Sequence, residues 1–151
     1  MNKTLLVFLF STHLFLSYGQ PQAPTGHWTA QWIMPAGIEP RTYGVFHFRK
    51  SFELTQVPDS FVIHVSADQR YHLFVNNKSI GLGPARSDPQ HWMFDTYDLK
   101  PYLTTGKNVL AAQVWNMGEH APYAQMTVQT GFIVQGHSEK EKVVNTNASW
   151  K

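Results

Sequence analysis

The sequence predicts an all-β fold, a β-sandwich of jelly-roll type. Short apolar runs alternate with a period of two, as strands with one buried face require. Turn residues separate these runs at short intervals. Beyond the first twenty residues, no window of helical length carries apolar side chains at three-four spacing. Many short strands with regular turns belong to sandwiches and jelly rolls.

The chain opens with one positive charge, Lys3, and an almost wholly apolar stretch over residues 5–16. Ser17-Tyr18-Gly19 then supplies the small residues that a signal peptidase reads, so residues 1–19 are expected to be a signal peptide. The apolar stretch is too short to span a bilayer comfortably, and no membrane association is expected after cleavage. Residues 20–27, rich in Pro, Gln and Gly, are expected to be a flexible leader, leaving 28–151 as one domain.

Within that domain Phe46, Phe48, Phe52 and Leu54 share one parity, opposite His47, Arg49 and Ser51. Lys50 breaks the pattern and marks an edge. Phe61, Ile63, Val65 and Ala67 repeat the alternation, with His64 and Ser66 on the face expected to turn away from the core. Residues 71–75 form a further strand. Asn76-Asn77-Lys78 makes a hairpin turn into Ser79-Ile80, because asparagine tolerates the left-handed backbone. Gly81, Gly83 and Pro84 are expected to end that pairing. Residues 109–115 are apolar on both parities, the mark of a strand covered on both faces. Met126, Val128, Thr130, Phe132 and Val134 predict one more half-buried strand. Residues 137–142 then read as a charged hairpin tip and Val143-Val144 as the start of a new β run. With Trp150 one residue from the end, this predicts a sandwich incomplete at its C-terminus.

Composition narrows the function classes. A net charge of +2, with no basic run interleaved with stacking aromatics, argues against a nucleic-acid partner. The absence of cysteine excludes disulfides, thiolate metal sites and cysteine nucleophiles. It also fits an exported bacterial protein, periplasmic or extracellular, better than a small secreted eukaryotic domain. The histidines are scattered without ligand spacing, so neither a metal nor another cofactor is expected.

No nucleophile elbow, zinc-protease helix or phosphate loop is present, and no catalytic residue is assigned. Glu119 and His120 lack an orienting third group. The segment 83–92 stands out as a Gly- and Pro-bounded loop that concentrates Arg86, Asp88, His91 and Trp92. A guanidinium and a carboxylate match the hydroxyl pairs of a sugar, and an indole matches its C–H face. The bland alternative is an Arg86–Asp88 pair bracing the loop, with Trp92 in the core. Asp68 and Arg70 form a second polar knot, either a bracing turn or part of the same carbohydrate rim. Trp28 and Trp32, four apart, are read as core or inter-domain residues in preference to a sugar platform, because indole burial contributes so much.

These residues together resemble the N-terminal region of bacterial α-L-rhamnosidases. The markers run in order: Trp28-Thr29-Ala30-Gln31-Trp32-Ile33, Phe46-His47-Phe48-Arg49-Lys50-Ser51-Phe52, Ala67-Asp68-Gln69-Arg70-Tyr71, Leu73-Phe74-Val75-Asn76, Gly83-Pro84-Ala85-Arg86-Ser87-Asp88, Trp115-Asn116 and Gly131-Phe132-Ile133-Val134. The resemblance implies a galactose-binding-like β-sandwich that precedes a helical (α/α)6 barrel, in an inverting glycoside hydrolase that removes terminal L-rhamnose. The barrel carries the catalytic carboxylates of that family and is absent from this sequence. The expectation is therefore a non-catalytic accessory domain, partnered by the barrel and by a rhamnosylated glycan, and inactive alone. A free-standing carbohydrate-binding module and a ligand-free structural sandwich are the alternatives.

Overall fold

The computed structural model describes residues 26–151. The expected signal peptide, and the leader up to residue 25, lie outside the described residues. Seven strands form two antiparallel sheets. They are β1 (Gly44–Leu54), β2 (Val62–Ala67), β3 (Arg70–Val75), β4 (Lys78–Gly83), β5 (Asp95–Asp98), β6 (Gly106–Asn116) and β7 (Phe132–Gly136). The larger sheet has the order β1-β6-β3-β4 and the smaller the order β5-β2-β7. Three short 3-10 turns, Lys100–Tyr102, Gly118–His120 and Glu141–Val144, are the helical elements among the described residues. The predicted all-β sandwich is what the chain forms.

Alternation writes the core. Ile63, Val65 and Ala67 of β2 and Leu73 and Val75 of β3 have no exposed surface, and they face each other across the sandwich with Leu110 of β6. Phe48 of β1 stacks on Phe132 of β7 at 5.5 Å, joining the outer strands of the two sheets. Phe52 stacks on Phe61 at 5.8 Å lower in the same layer. Apolar area removed from water in this way is the main favourable term in folding. Asn76 and Asn77, at φ of 48° and 65°, build the two-residue turn between β3 and β4. That left-handed pair matches the twist of the flanking strands.

Several expectations are corrected. Strand β6 is not covered equally on its two faces: Leu110, Ala112 and Val114 are buried, whereas Ala111, Gln113 and Trp115 are only half-buried. Pairing of β4 runs on through Gly83, opposite Tyr71. The strand expected over 126–134 begins only at Phe132, because the backbone before it is claimed elsewhere. Val128 N–H donates to Asp68, and Thr130 N–H to the Pro40 carbonyl. Val143-Val144 lie in a 3-10 turn and start no strand. After that turn, Lys151 exchanges two backbone hydrogen bonds with Arg49 on the open edge of β1 (2.8 and 3.0 Å). Trp150 is buried against Phe132. Strand β5, with its sequence Asp-Thr-Tyr-Asp, carries no alternating apolar signal; it exists by pairing with β2.

His64 lies on the face turned from the core, as expected, with both ring nitrogens hydrogen-bonded, but that face is covered and the side chain is fully buried. The outer face of the small sheet is roofed by residues 28–33 and by Phe94, with Trp28 6.3 Å and Phe94 5.4 Å from the His64 ring. The roof is stapled down by Gln135 of β7, whose Oε1 accepts from Thr29 N and Ala30 N (2.9 Å each). Residues 28–33 are thus no strand; Ile33 alone pairs, with Phe132.

Candidate functional site

The same roof shapes the most distinctive surface of the domain. Trp32 and Trp92 meet with ring centroids 5.7 Å apart at 56°, one from the N-terminal segment and one from the loop before β5. Trp32 keeps 42% of its surface exposed. It packs closely over Gly131, where a Cβ would lie 3.1 Å from Trp32 Cε3. Trp28 and Phe94 form a second, edge-on pair at 5.4 Å.

Two clefts open on either side of the Trp32–Trp92 pair. One, of about 310 Å³, is lined by Trp32, Trp92, Asp68, Pro89, Val128, Gln129 and Gly131. The other, of about 480 Å³, shares both tryptophans and adds Trp28, Phe94, His27, Ala30, Ser66 and Ile133. Concave, mainly apolar walls with a few fixed polar groups are the usual form of small-molecule sites.

Asp68 stands at the first cleft and is almost fully buried. Its Oδ1 accepts from Val128 N at 2.9 Å and Gln129 N at 3.4 Å, and its Oδ2 accepts from the Thr127 hydroxyl. Thr127 Oγ1 accepts in turn from Asn116 Nδ2, whose Oδ1 accepts from Gln69 Nε2 and Gly118 N. The Asp68-Gln69 and Trp115-Asn116 markers thus belong to one buried network. It fixes the loop 127–131 that forms the cleft wall.

The other expected residues divide. Arg70 does not face the cleft; its guanidinium donates to the Pro84 carbonyl and ties the loop after β4 to β3. Arg86 is exposed on that loop. Asp88 pairs not with Arg86 but with His91, Nδ1 to Oδ1 at 3.0 Å, and caps the amides of Gln90 and His91. Those contacts, the Gln90 amide foremost, hold the exposed Asp88 carboxyl below its usual range. Of the six residues named from the sequence, Trp92 and Asp68 line the cleft, and Pro89 of the same loop joins them. Trp28 and Trp32, expected as core or inter-domain residues rather than as a sugar platform, line the second cleft together, and Gln129 and Phe94 carry no signal in the sequence. Two tryptophans flanking Thr-Ala-Gln were the available signal.

No metal-ligating cluster of three or more His, Asp or Glu exists among the described residues. Glu119 and His120 are both exposed at the Gly118–His120 turn, where the His120 ring lies edge-on to Tyr43. The clefts on either side of the tryptophan pair carry one carboxylate between them, Asp68. No helix among these residues is long and apolar enough to cross a membrane.

No protein-family profile and no curated protein matches the chain. Solved structures do. The GH78 family rhamnosidase of Bacillus sp. GL1 superposes with a TM-score of 0.74 and 31% identity over 82% of this chain. The resemblance to the α-L-rhamnosidases therefore holds in structure as well as in motif. The α-L-rhamnosidase from Dictyoglumus thermophilum matches 85% of the chain at TM-score 0.65 and 21% identity. That of Streptomyces avermitilis, solved with L-rhamnose, matches 81% at 0.58 and 20%; these two share the fold. This rhamnosidase-type sandwich spans 13%, 17% and 12% of the three relatives.

Proposed function

We propose that this chain is a non-catalytic accessory domain of an exported bacterial α-L-rhamnosidase, and that it holds carbohydrate at the Trp32–Trp92 cleft. The observation that carries the reading is that aromatic pair beside Asp68. A sugar presents a C–H face to an indole and hydroxyls to an amide, here that of the exposed Gln129, while the buried Asp68 fixes the wall that carries it. Arg86, Asp88 and His91 belong to the loop that delivers Trp92 and act at its outer rim, while Arg70 anchors the loop from behind. The signal peptide expected over residues 1–19 supports export, and the small share of the relatives' length supports a barrel partner carrying the chemistry. Inverting hydrolysis needs two carboxylates separated by a water, and Asp68 stands alone with its oxygens already engaged.

Calorimetric titration with L-rhamnose and methyl α-L-rhamnoside tests this. Saturable binding that Trp92→Ala weakens about tenfold, the loss of one well-packed aromatic contact, supports it. A folded chain that binds neither sugar overturns the carbohydrate reading. Release of nitrophenol from a nitrophenyl rhamnoside by the pure chain overturns the non-catalytic one.

A further inference from the structure

Strand β1 is an edge of the larger sheet, paired with β6 along its whole length. Arg49 turns its amide and carbonyl to the other side, where both bond Lys151. Polar groups along an antiparallel strand alternate between its two sides, so Val45 and His47 present theirs to the same side as Arg49. Among the described residues, no backbone group answers them there. Beyond Lys151 a cleft of about 560 Å³ follows this stretch of edge, with Val45, His47 and Phe48 on one side and Ile33, Met34 and Pro35 on the other. The core beside the cleft is unfinished. Phe46 shares the inward parity of Phe48 and Phe52, yet it is only half-buried where they are almost fully buried. Ile33, across the cleft, packs against the core and is half-buried too.

We propose that the edge of β1 from Phe48 back to Gly44 receives a further strand, continuous with Lys151 and antiparallel to β1. The Arg49–Lys151 pair sets its register. Lys151 lies opposite Arg49, and both are exposed on the outward side, whereas Trp150 is buried. The first residue joined to Lys151 then falls opposite Phe48 and the third opposite Phe46, both directed inward over Phe46 and Ile33. The second and fourth fall opposite His47 and Val45 and point outward. They exchange the backbone hydrogen bonds that those two residues leave open. The occupant is thus an extended segment, apolar at its first and third positions and polar at its second and fourth. Pairing with a sheet edge draws affinity from the main chain and specificity from alternate side chains. The groove shares no lining residue with the two clefts of the Trp32–Trp92 surface, so the strand owes nothing to the carbohydrate reading.

The test lengthens the intact chain by a tetrapeptide after Lys151, either Val-Glu-Val-Glu or, with the phase shifted by one, Glu-Val-Glu-Val. Amide exchange followed by NMR and thermal melts compare the two. The first extension is expected to slow exchange of the Val45 and His47 amides about tenfold, the protection that one backbone hydrogen bond of ordinary net strength gives. It is also expected to raise the melting temperature. The second is expected to do neither, because it drives carboxylates over Phe46 and Ile33. His47→Pro removes an amide that faces the new strand and keeps the pairing with β6, as proline on an edge strand allows. It is expected to erase the gain in melting temperature. Should His47→Pro fail to fold, the comparison of the two phases decides alone. Equal effects of the two extensions, no slowing by the first, or a gain that survives His47→Pro in a folded chain overturn the proposal. So does a dimer of the unextended chain with these amides already protected, since the edge then belongs to a second copy. A failure of sugar binding leaves each of these outcomes untouched.

Discussion

The carboxylate of Asp95 lies directly against the bare Cα of Gly83: a Cβ on Gly83 would stand 1.9 Å from Asp95 Oδ2. This contact closes the sandwich where β4 of one sheet meets β5 of the other. The buried Tyr71 hydroxyl donates to the same oxygen at 2.6 Å and lies 3.0 Å from the Tyr97 hydroxyl. Burial, and then the neighbouring Asp95, push the Tyr71 phenol far above its usual range, so it remains a donor at every working pH. Gly83→Ala is expected to cost about 2 kcal/mol or more, since overpacked sites lose on the order of 1–3 kcal/mol. Gly81→Ala is expected to cost less. Its Cβ would meet the half-buried Tyr97 from 2.6 Å, whereas a Cβ on Gly83 would also meet the fully buried Tyr71 at 2.7 Å, which has no room to yield. Urea unfolding midpoints at unchanged slope measure both; equal losses contradict the account.

Asp68 and Arg86, which the sequence groups as one sugar-facing rim, are expected to separate in stability. Asp68→Ala strands the Val128 and Gln129 amides and the Thr127 hydroxyl inside a buried network. The expected cost is roughly 2–4 kcal/mol, because buried donors left without partners carry their full desolvation penalty. Arg86→Ala, on an exposed loop, is expected to stay within about 0.5 kcal/mol of the parent. Thermal melts of the two variants side by side decide it, and similar losses would show that Arg86 has a structural partner.

The strands with one clean buried face were legible, because alternation is a local signal. The Phe61, Ile63, Val65 and Ala67 run and the Asn76-Asn77 turn are read directly from residue types. What was not legible depended on where backbone hydrogen bonds go. Residues 126–130 alternate as well as any strand, yet Asp68 and Pro40 take their amides, so no sheet neighbour remains. Conversely, Asp95–Asp98 has little strand character and pairs because β2 offers an edge. Half of the candidate site followed the same pattern. Trp92 and Asp68 carried their own chemical signal, whereas Trp32 packs over Gly131, a hundred residues on, a proximity that no local pattern announces.

His64 gives the domain a predictable acid sensitivity. Its ring is buried under Trp28 and Phe94 and bonded to Thr96 Oγ1 at 2.8 Å and His137 Nδ1 at 3.1 Å. Burial first, and then the nearby His137, lower its pKa from 6.5 to about 4, while Glu141 opposes the shift. The folded protein therefore favours neutral imidazole. The resulting stability is complete above pH 6.5 and is lost as pH falls from 6.5 towards about 4, where the unfolded chain binds the proton first. The melting temperature is expected to fall across that window more steeply in the parent than in His64→Gln. Parallel profiles would place the acid-sensitive group elsewhere.

Gln135 connects the fold to the proposed binding surface. Its buried amide oxygen accepts from both Thr29 N and Ala30 N, and its Nε2 donates to the Gly136 carbonyl at 2.7 Å. Thr29 is held a second time by Asn145, through Nδ2 to Oγ1 at 3.0 Å, and Gln31 N–H donates to the Thr146 carbonyl at 2.8 Å. Removing one clamp should therefore loosen the segment without detaching it. Gln135→Ala is expected to cost about 1 kcal/mol, because the Thr29 and Ala30 amides it leaves unpaired are only partly buried and water can reach them. Faster amide exchange should be confined to residues 29–33, with core strands β3 and β6 unchanged. Because Trp28 and Trp32 ride on this segment, the same variant should weaken sugar binding more than Arg86→Ala does, with no residue of the cleft itself altered. Exchange that rises uniformly through the sandwich would mean that Gln135 supports the core and not the roof.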